Sequence, residues 1–104
     1  MVDVLEVLAE PRRRRILDAL RQGELSVGAL VEEVGSSQPL VSKHLRVLRE
    51  VSLVDVRVDG QRRVYRLRPE PLVELDAWLE PYRQLWRTSL DRLEAHLSEG
   101  KPDA

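Results

Sequence analysis

Apolar residues recur three and four positions apart through most of this 104-residue chain. That spacing puts them on one face of an α-helix. Val4, Leu5, Val7 and Leu8 predict a short amphipathic helix over residues 2–9. Pro11 suits the first turn of a new helix and disfavours continuation through Glu10. The second helix buries Ile16, Leu17 and Leu20, with Gly23 as a good residue to end it. Ser26 is placed to cap a third helix that turns Val27, Leu30, Val31 and Val34 inward and closes at Gly35. Ser37 is placed to cap a fourth, in which Pro39 is tolerated in the first turn and Val41, Leu45 and Leu48 repeat at i, i+4 and i+7. Only a few residues join the third and fourth helices, so their spacing reads as a helix-turn-helix.

The period then falls to two. Residues 53–58 (LVDVRV) and 64–67 (VYRL) alternate apolar and polar, and Asp59-Gly60-Gln61-Arg62 between them is a hairpin turn signal. Pro69 and Pro71 end the second strand and open a long last helix. Its stripe is Leu72, Leu75, Leu79, Tyr82, Trp86, Leu90, Leu93 and Leu97, widened by Trp78 and Leu85. Pro81 should kink that helix near Ala77–Trp78 or split it. The expected fold is mainly α with a small β-hairpin, in the order of a winged helix-turn-helix with a long C-terminal dimerisation helix. Residues 1–98 form one domain in this reading, which the charge pattern and a family resemblance make a DNA-binding and dimerisation domain, and residues 99–104 a flexible tail.

The net charge of −1 argues against nucleic acid until it is divided along the chain. Residues 36–68 carry eight basic and three acidic residues, a balance of +5. The flanks are acidic, −2 before this segment and −4 after it. Phosphate contact depends on the charge of the footprint, so this concentration points toward DNA. Without cysteine there is no disulfide framework and no thiolate site. No apolar stretch is long enough for a membrane helix, and the N-terminal charges follow the apolar residues, the wrong order for a signal peptide. The cytoplasm is the expected location. Two separated histidines and no Gly-rich phosphate loop leave no nucleophile–base pair, so an enzyme is not expected.

Gln38, Ser42 and Lys43 lie opposite the apolar face of the fourth helix. Gln can pair with adenine, Lys can donate to guanine, and Ser can reach base or phosphate. The alternative is an ordinary solvated face. His44 has two readings, a contact to DNA or a packed side chain. Arg57, Arg62, Arg63 and Arg66 make the hairpin basic, for phosphate or minor-groove contact or as a charged edge that resists aggregation. Arg12 to Arg15 sit at a helix start, where the dipole prefers acids. They point in four directions, so at most two can face DNA, and pairing with Glu10, Asp18 or acids of another helix is the equal alternative. Trp78, Tyr82 and Trp86, spaced i, i+4, i+8, suit packing in a core or an interface better than a ligand pocket.

At residues 9–14 (AEPRRR), 37–48 (SQPLVSKHLRVL) and 60–68 (GQRRVYRLR) the chain resembles the ArsR/SmtB family of bacterial transcriptional repressors. The likeness covers about residues 4–97, and DAWLEPYRQLW with LDRLEAHL is similar to a metal-independent branch. The resemblance implies a homodimer on a palindromic operator in double-stranded DNA, released by an effector that the residues do not identify. It implies DNA contact by Ser37, Gln38, Ser42, Lys43, His44 and Arg46 of the recognition helix and by Arg57, Arg62 and Arg63 of the wing. It implies a dimer interface from the first and last helices, here Val4, Leu5 and Leu8 with Leu75, Leu79, Tyr82, Trp86 and Leu90. The family's metal ligands do not match. LSVGAL stands where a thiolate site needs Cys, and Asp91 is followed by Arg92 and Leu93, with only His96 beyond. No metal or cofactor is therefore expected. The chain also departs from the family at Val51-Ser52, where a small residue and Gly are usual. Ser52 is expected to take the left-handed conformation at a cost on the order of 1 kcal/mol. The second function class is a winged helix that docks a protein partner without specific DNA binding.

Overall fold

A computed structural model describes residues 3–100, with side chains through Ser98. The chain divides between Val73 and Glu74 into two units. In the first, α1 (Val4–Leu8) and α2 (Pro11–Leu20) lead to a short strand β1 (Leu25–Ser26), then α3 (Val27–Val34) and α4 (Gln38–Glu50). Strands β2 (Val54–Asp59) and β3 (Arg62–Leu67) follow, and α5 (Leu72–Gly100) starts at the end of this unit. Residues 101–104 of the expected tail lie outside the described residues.

Caps explain most boundaries. Asp3, Glu10, Ser26 and Ser37 each accept a backbone N–H in the first turn of α1, α2, α3 and α4. Gly35, at φ +72°, ends α3. The C-cap of α2 is Arg21, so Gly23 sits in the following loop at φ +150°, not at the position adjoining the cap. Ser52 is left-handed at φ +62°, as its place in the pattern predicts, and is the one non-glycine with positive φ among the described residues. Its N–H donates to Arg49 O and that of Leu53 to Leu48 O, each at 2.9 Å. This pair of bonds is a Schellman close, and Leu48 and Leu53 supply its usual apolar contact, both fully buried.

The sheet has the order β1-β3-β2, all antiparallel. Sequence periodicity predicts only the hairpin; β1 is an addition to it. Two residues are too few to show alternation, and Ser26 is already committed as the cap of α3. Gly60, at φ +64°, is the first central residue of a two-residue turn closed by Asp59 and Arg62, as a type II′ hairpin requires. The core joins Val7, Ile16, Leu17, Leu20, Leu30, Val34, Val41, Leu45, Leu48, Leu53, Val54 and Tyr65. It therefore clamps α4 between α2, α3 and the base of the hairpin.

The second unit is the rest of α5. Pro81 does not split the helix. It removes the donor that Ala77 O would use. Arg83 bridges the same turn, donating to Asp76 Oδ1 at 2.6 Å and Asp76 O at 2.7 Å, and pairing with Glu80 at 2.8 Å. Trp78, Tyr82, Leu85, Trp86, Leu90, Leu93 and Leu97 all stand exposed. Among the described residues no helix is long and apolar enough to cross a membrane.

Candidate nucleic-acid interface

Helical and strand periods together build one basic groove. Gln38, Ser42, Arg46 and Arg49 follow each other at helical spacing along α4, on the side away from Val41, Leu45 and Leu48. Arg63 and Tyr65 come from β3, and Val27 from the start of α3. These seven residues line a groove of about 390 Å³. It contains three guanidinium groups and no carboxylate. Arg49 belongs to this face although its neighbours alone draw attention in the sequence. The signal that finds it is the continuation of the 38, 42, 46 stripe by one more turn.

The strand pleat sorts the wing arginines. Arg63 shares a face with Tyr65 and Leu67, and Arg62 points to the other side. Arg62 pairs there with Asp59 at 3.3 Å. Arg57, also off the groove, pairs with Glu24 at 2.9 Å through two nitrogens. Arg66 and Arg68 both hold Asp55, and Arg68 also reaches Glu70. Hydrogen bonds from Arg68 and then Arg66 keep the Asp55 carboxyl below its usual range. Half of the eight basic side chains in residues 36–68 are thus engaged within the molecule. Lys43, Arg46, Arg49 and Arg63 have no ion-pair partner among the described residues. Arg57 and Arg62, expected as wing contacts, therefore lie outside the groove with their charges already matched.

Ser37 is spent as a cap, its hydroxyl accepting from Leu40 N at 3.4 Å. Lys43 is exposed beside the groove without lining it. His44 corrects the expectation of a DNA contact. It is 6% exposed and lies three residues after Val41 and beside Leu45, so the helical period carries it inward. Its Nδ1 accepts from Arg13 Nε at 3.2 Å, and its Nε2 is buried without a partner. Burial, followed by the Arg13 charge, holds the imidazole below its ordinary pKa.

Two members of the four-arginine run, open to DNA contact or to pairing with acids, are held instead by backbone carbonyls. Arg13 Nη1 donates to Val7 O at 3.3 Å and Arg14 Nη1 to Leu8 O at 2.6 Å. Both cations thereby serve the carbonyl end of α1, where a helix favours positive charge, although they sit at the start of α2. Arg12 and Arg15 are exposed. Of the expected dimer residues, Val4 and Leu8 are half-buried against the core of the first unit and Leu5 is exposed. On α5, Leu75 and Leu79 are half-buried, and Tyr82, Trp86 and Leu90 are exposed. Among the described residues no three His, Asp or Glu side chains gather as a metal ion would need.

The model of the family described as bacterial regulatory protein, arsR family, matches residues 10–56, from the cap of α2 into β2. The HTH-type transcriptional regulator Rv2034 of Mycobacterium tuberculosis is 41% identical over 87 residues, covering 84% of this chain and 71% of that protein. The transcriptional repressor SdpR of Bacillus subtilis is 30% identical over 79 residues, covering 76% of this chain and 88% of that one. A solved structure described as a possible transcriptional regulator for arsenical resistance is 44% identical with a TM-score of 0.71. The alignment covers 92% of this chain and 97% of that structure.

Proposed function

We infer the function from a premise now in hand: this chain belongs to the arsR family of bacterial regulatory proteins, and it is a DNA-binding transcriptional repressor. The observation that carries the site is the groove between α4 and β3. It brings three arginines, unpaired among the described residues, together with the amide of Gln38 and the hydroxyl of Ser42. Base edges are read by Gln38 and Ser42 from the exposed start of α4, with Lys43 beside them. Arg46, Arg49 and Arg63 hold the sugar-phosphate strand that runs between the helix and the wing. Phosphate contacts fix the register and base contacts choose the sequence.

The active form in this proposal is a homodimer on a palindromic operator in the cytoplasm. Two recognition helices then enter successive major grooves about one helical turn apart. The apolar row on α5 supports this. Trp78, Tyr82, Trp86, Leu90, Leu93 and Leu97 fall three or four residues apart and are all exposed. A row of this length, left in water, marks a protein contact.

Selection of bound duplexes from a random pool tests the assignment. Wild type should enrich one palindrome, and Gln38→Ala should change the bases preferred at fixed positions in each half. The double variant Arg49→Met, Arg63→Met should weaken binding to all duplexes alike without changing the preferred sequence. Enrichment of no sequence by wild type would sink the reading and favour a winged helix that docks protein.

A further inference from the structure

We propose that Arg13 is a positioning residue for DNA reading, linking the end of α1 to the recognition helix through a neutral His44 and making operator binding sensitive to acid. This rests on the DNA-reading assignment and adds a regulatory contact to it. The link consists of two hydrogen bonds from one guanidinium. Nη1 donates to Val7 O, the last turn of α1, and Nε donates to His44 Nδ1, inside α4. Arg13 and His44 lie 31 residues apart in the chain. No other side-chain hydrogen bond among the described residues ties α4 to another helix.

The chemistry of the contact is one-sided. Arginine only donates, so Nδ1 must be the acceptor and His44 the neutral tautomer with hydrogen on Nε2. A proton on Nδ1 would turn the acceptor into a donor that faces a cation. It would also place a charge on a side chain that is 6% exposed. The charged groups around the imidazole are Arg13 and Arg12 from α2, Glu10 at the cap of that helix, and Lys43 on its own helix. Three are cations and one is an anion, so the surroundings oppose protonation as burial does. His44 is flanked by Lys43, and Ser42 and Arg46 lie two residues to either side, so loss of the link acts at the middle of the reading surface. Exposed Lys43 or Arg46 has no such restraint.

The sign follows from the depressed pKa. Above the ordinary value of 6.5 the imidazole is neutral in both folded and unfolded chains, and the link is intact. As pH falls below that value the unfolded chain takes up the proton first, and the folded chain is destabilised. Through the lower folded pKa the link itself breaks. Operator affinity is therefore flat from about pH 8 through 6.5 and declines only as pH falls through the folded value, which lies below 6.5.

The test uses the full chain and the duplex selected above. His44→Asn places an amide oxygen where Nδ1 stood, and keeps an acceptor for Arg13 without a titrating group. It should bind the operator at about pH 7.5 within about threefold of wild type and lose the decline toward pH 5. Arg13→Met should lose about tenfold in operator affinity at neutral pH, the effect of one hydrogen bond withdrawn from the competent arrangement. Its affinity for a duplex of unrelated sequence should stay that of wild type, which a direct phosphate contact would not allow. The imidazole nitrogens, followed by nuclear magnetic resonance, should report the Nε2–H tautomer and a midpoint below 6.5 in the free protein. Superimposable pH profiles for wild type and His44→Asn overturn the proposal while leaving DNA reading intact. If wild type binds no duplex at neutral pH, the DNA-reading premise falls and the proposal falls with it.

Discussion

Replacing Ser52 with glycine is expected to stabilise the folded chain by about 0.5–1 kcal/mol. Ser52 holds φ at +62°, where its Cβ crowds the following carbonyl. An L-residue pays about 1–2 kcal/mol for that conformation, and glycine returns about 0.5–1 kcal/mol through the greater freedom of the unfolded chain. The rest of the joint is untouched by the change. The bonds from Ser52 N to Arg49 O and from Leu53 N to Leu48 O use backbone only. The Ser52 side chain is exposed and makes no hydrogen bond among the described residues. Thermal unfolding followed by circular dichroism, at one protein concentration because association shifts the midpoint, should show a rise of about 2–8 °C. Ser52→Ala keeps the strain and should match wild type within about 0.5 kcal/mol. A glycine variant no more stable than the alanine variant would refute the argument, since the two differ only in what φ they tolerate.

Leu45→Ala, at a position 1% exposed in the recognition helix, should cost about 2–5 kcal/mol in urea unfolding; a loss under about 1 kcal/mol would mean the core does not close on α4. Asp55→Asn should flatten the acid limb of unfolding. The carboxyl titrates below 3.8 in the folded chain because Arg68 and Arg66 hold it, so its contribution is present above the unfolded value and lost as pH falls through the folded one. An unchanged limb between pH 4 and 2 would count against that pairing. Leu90→Glu should halve the mass seen by analytical ultracentrifugation and lower operator affinity, and a dimer that survives it would move the interface off the exposed row of α5.

The sequence carries most of the fold because its signals are local. Apolar period, Ser caps, Pro at helix starts and Gly35 and Gly60 at their turns all act within a few residues, and α3, α4 and the hairpin fall where these put them. The site is less legible because ion pairs are not local. Nothing near Arg57 announces Glu24, which lies 33 residues away, and Asp55 meets Arg66 and Arg68 only across the hairpin, whereas Arg62 pairs locally, with Asp59. Period alone carries two further assignments. His44 falls one turn after Val41 and so belongs inward, while Arg49 extends the stripe of Gln38, Ser42 and Arg46. In the wing, the alternation of two separates Arg62 from Arg63, which adjacency in sequence had joined.

That sorting of the wing has a consequence for ionic strength. In the proposed interface, arginines already matched by Glu24, Asp55, Asp59 and Glu70 displace few ions when DNA arrives, so counterion release falls to Arg46, Arg49 and Arg63. Three phosphates neutralised per chain correspond to a slope of about −3 in log affinity against log salt, less than half what the basic count of this segment would suggest. The internal pairs would therefore buffer the repressor, whose hold on DNA is expected to weaken more gently as salt rises than its arginine content implies.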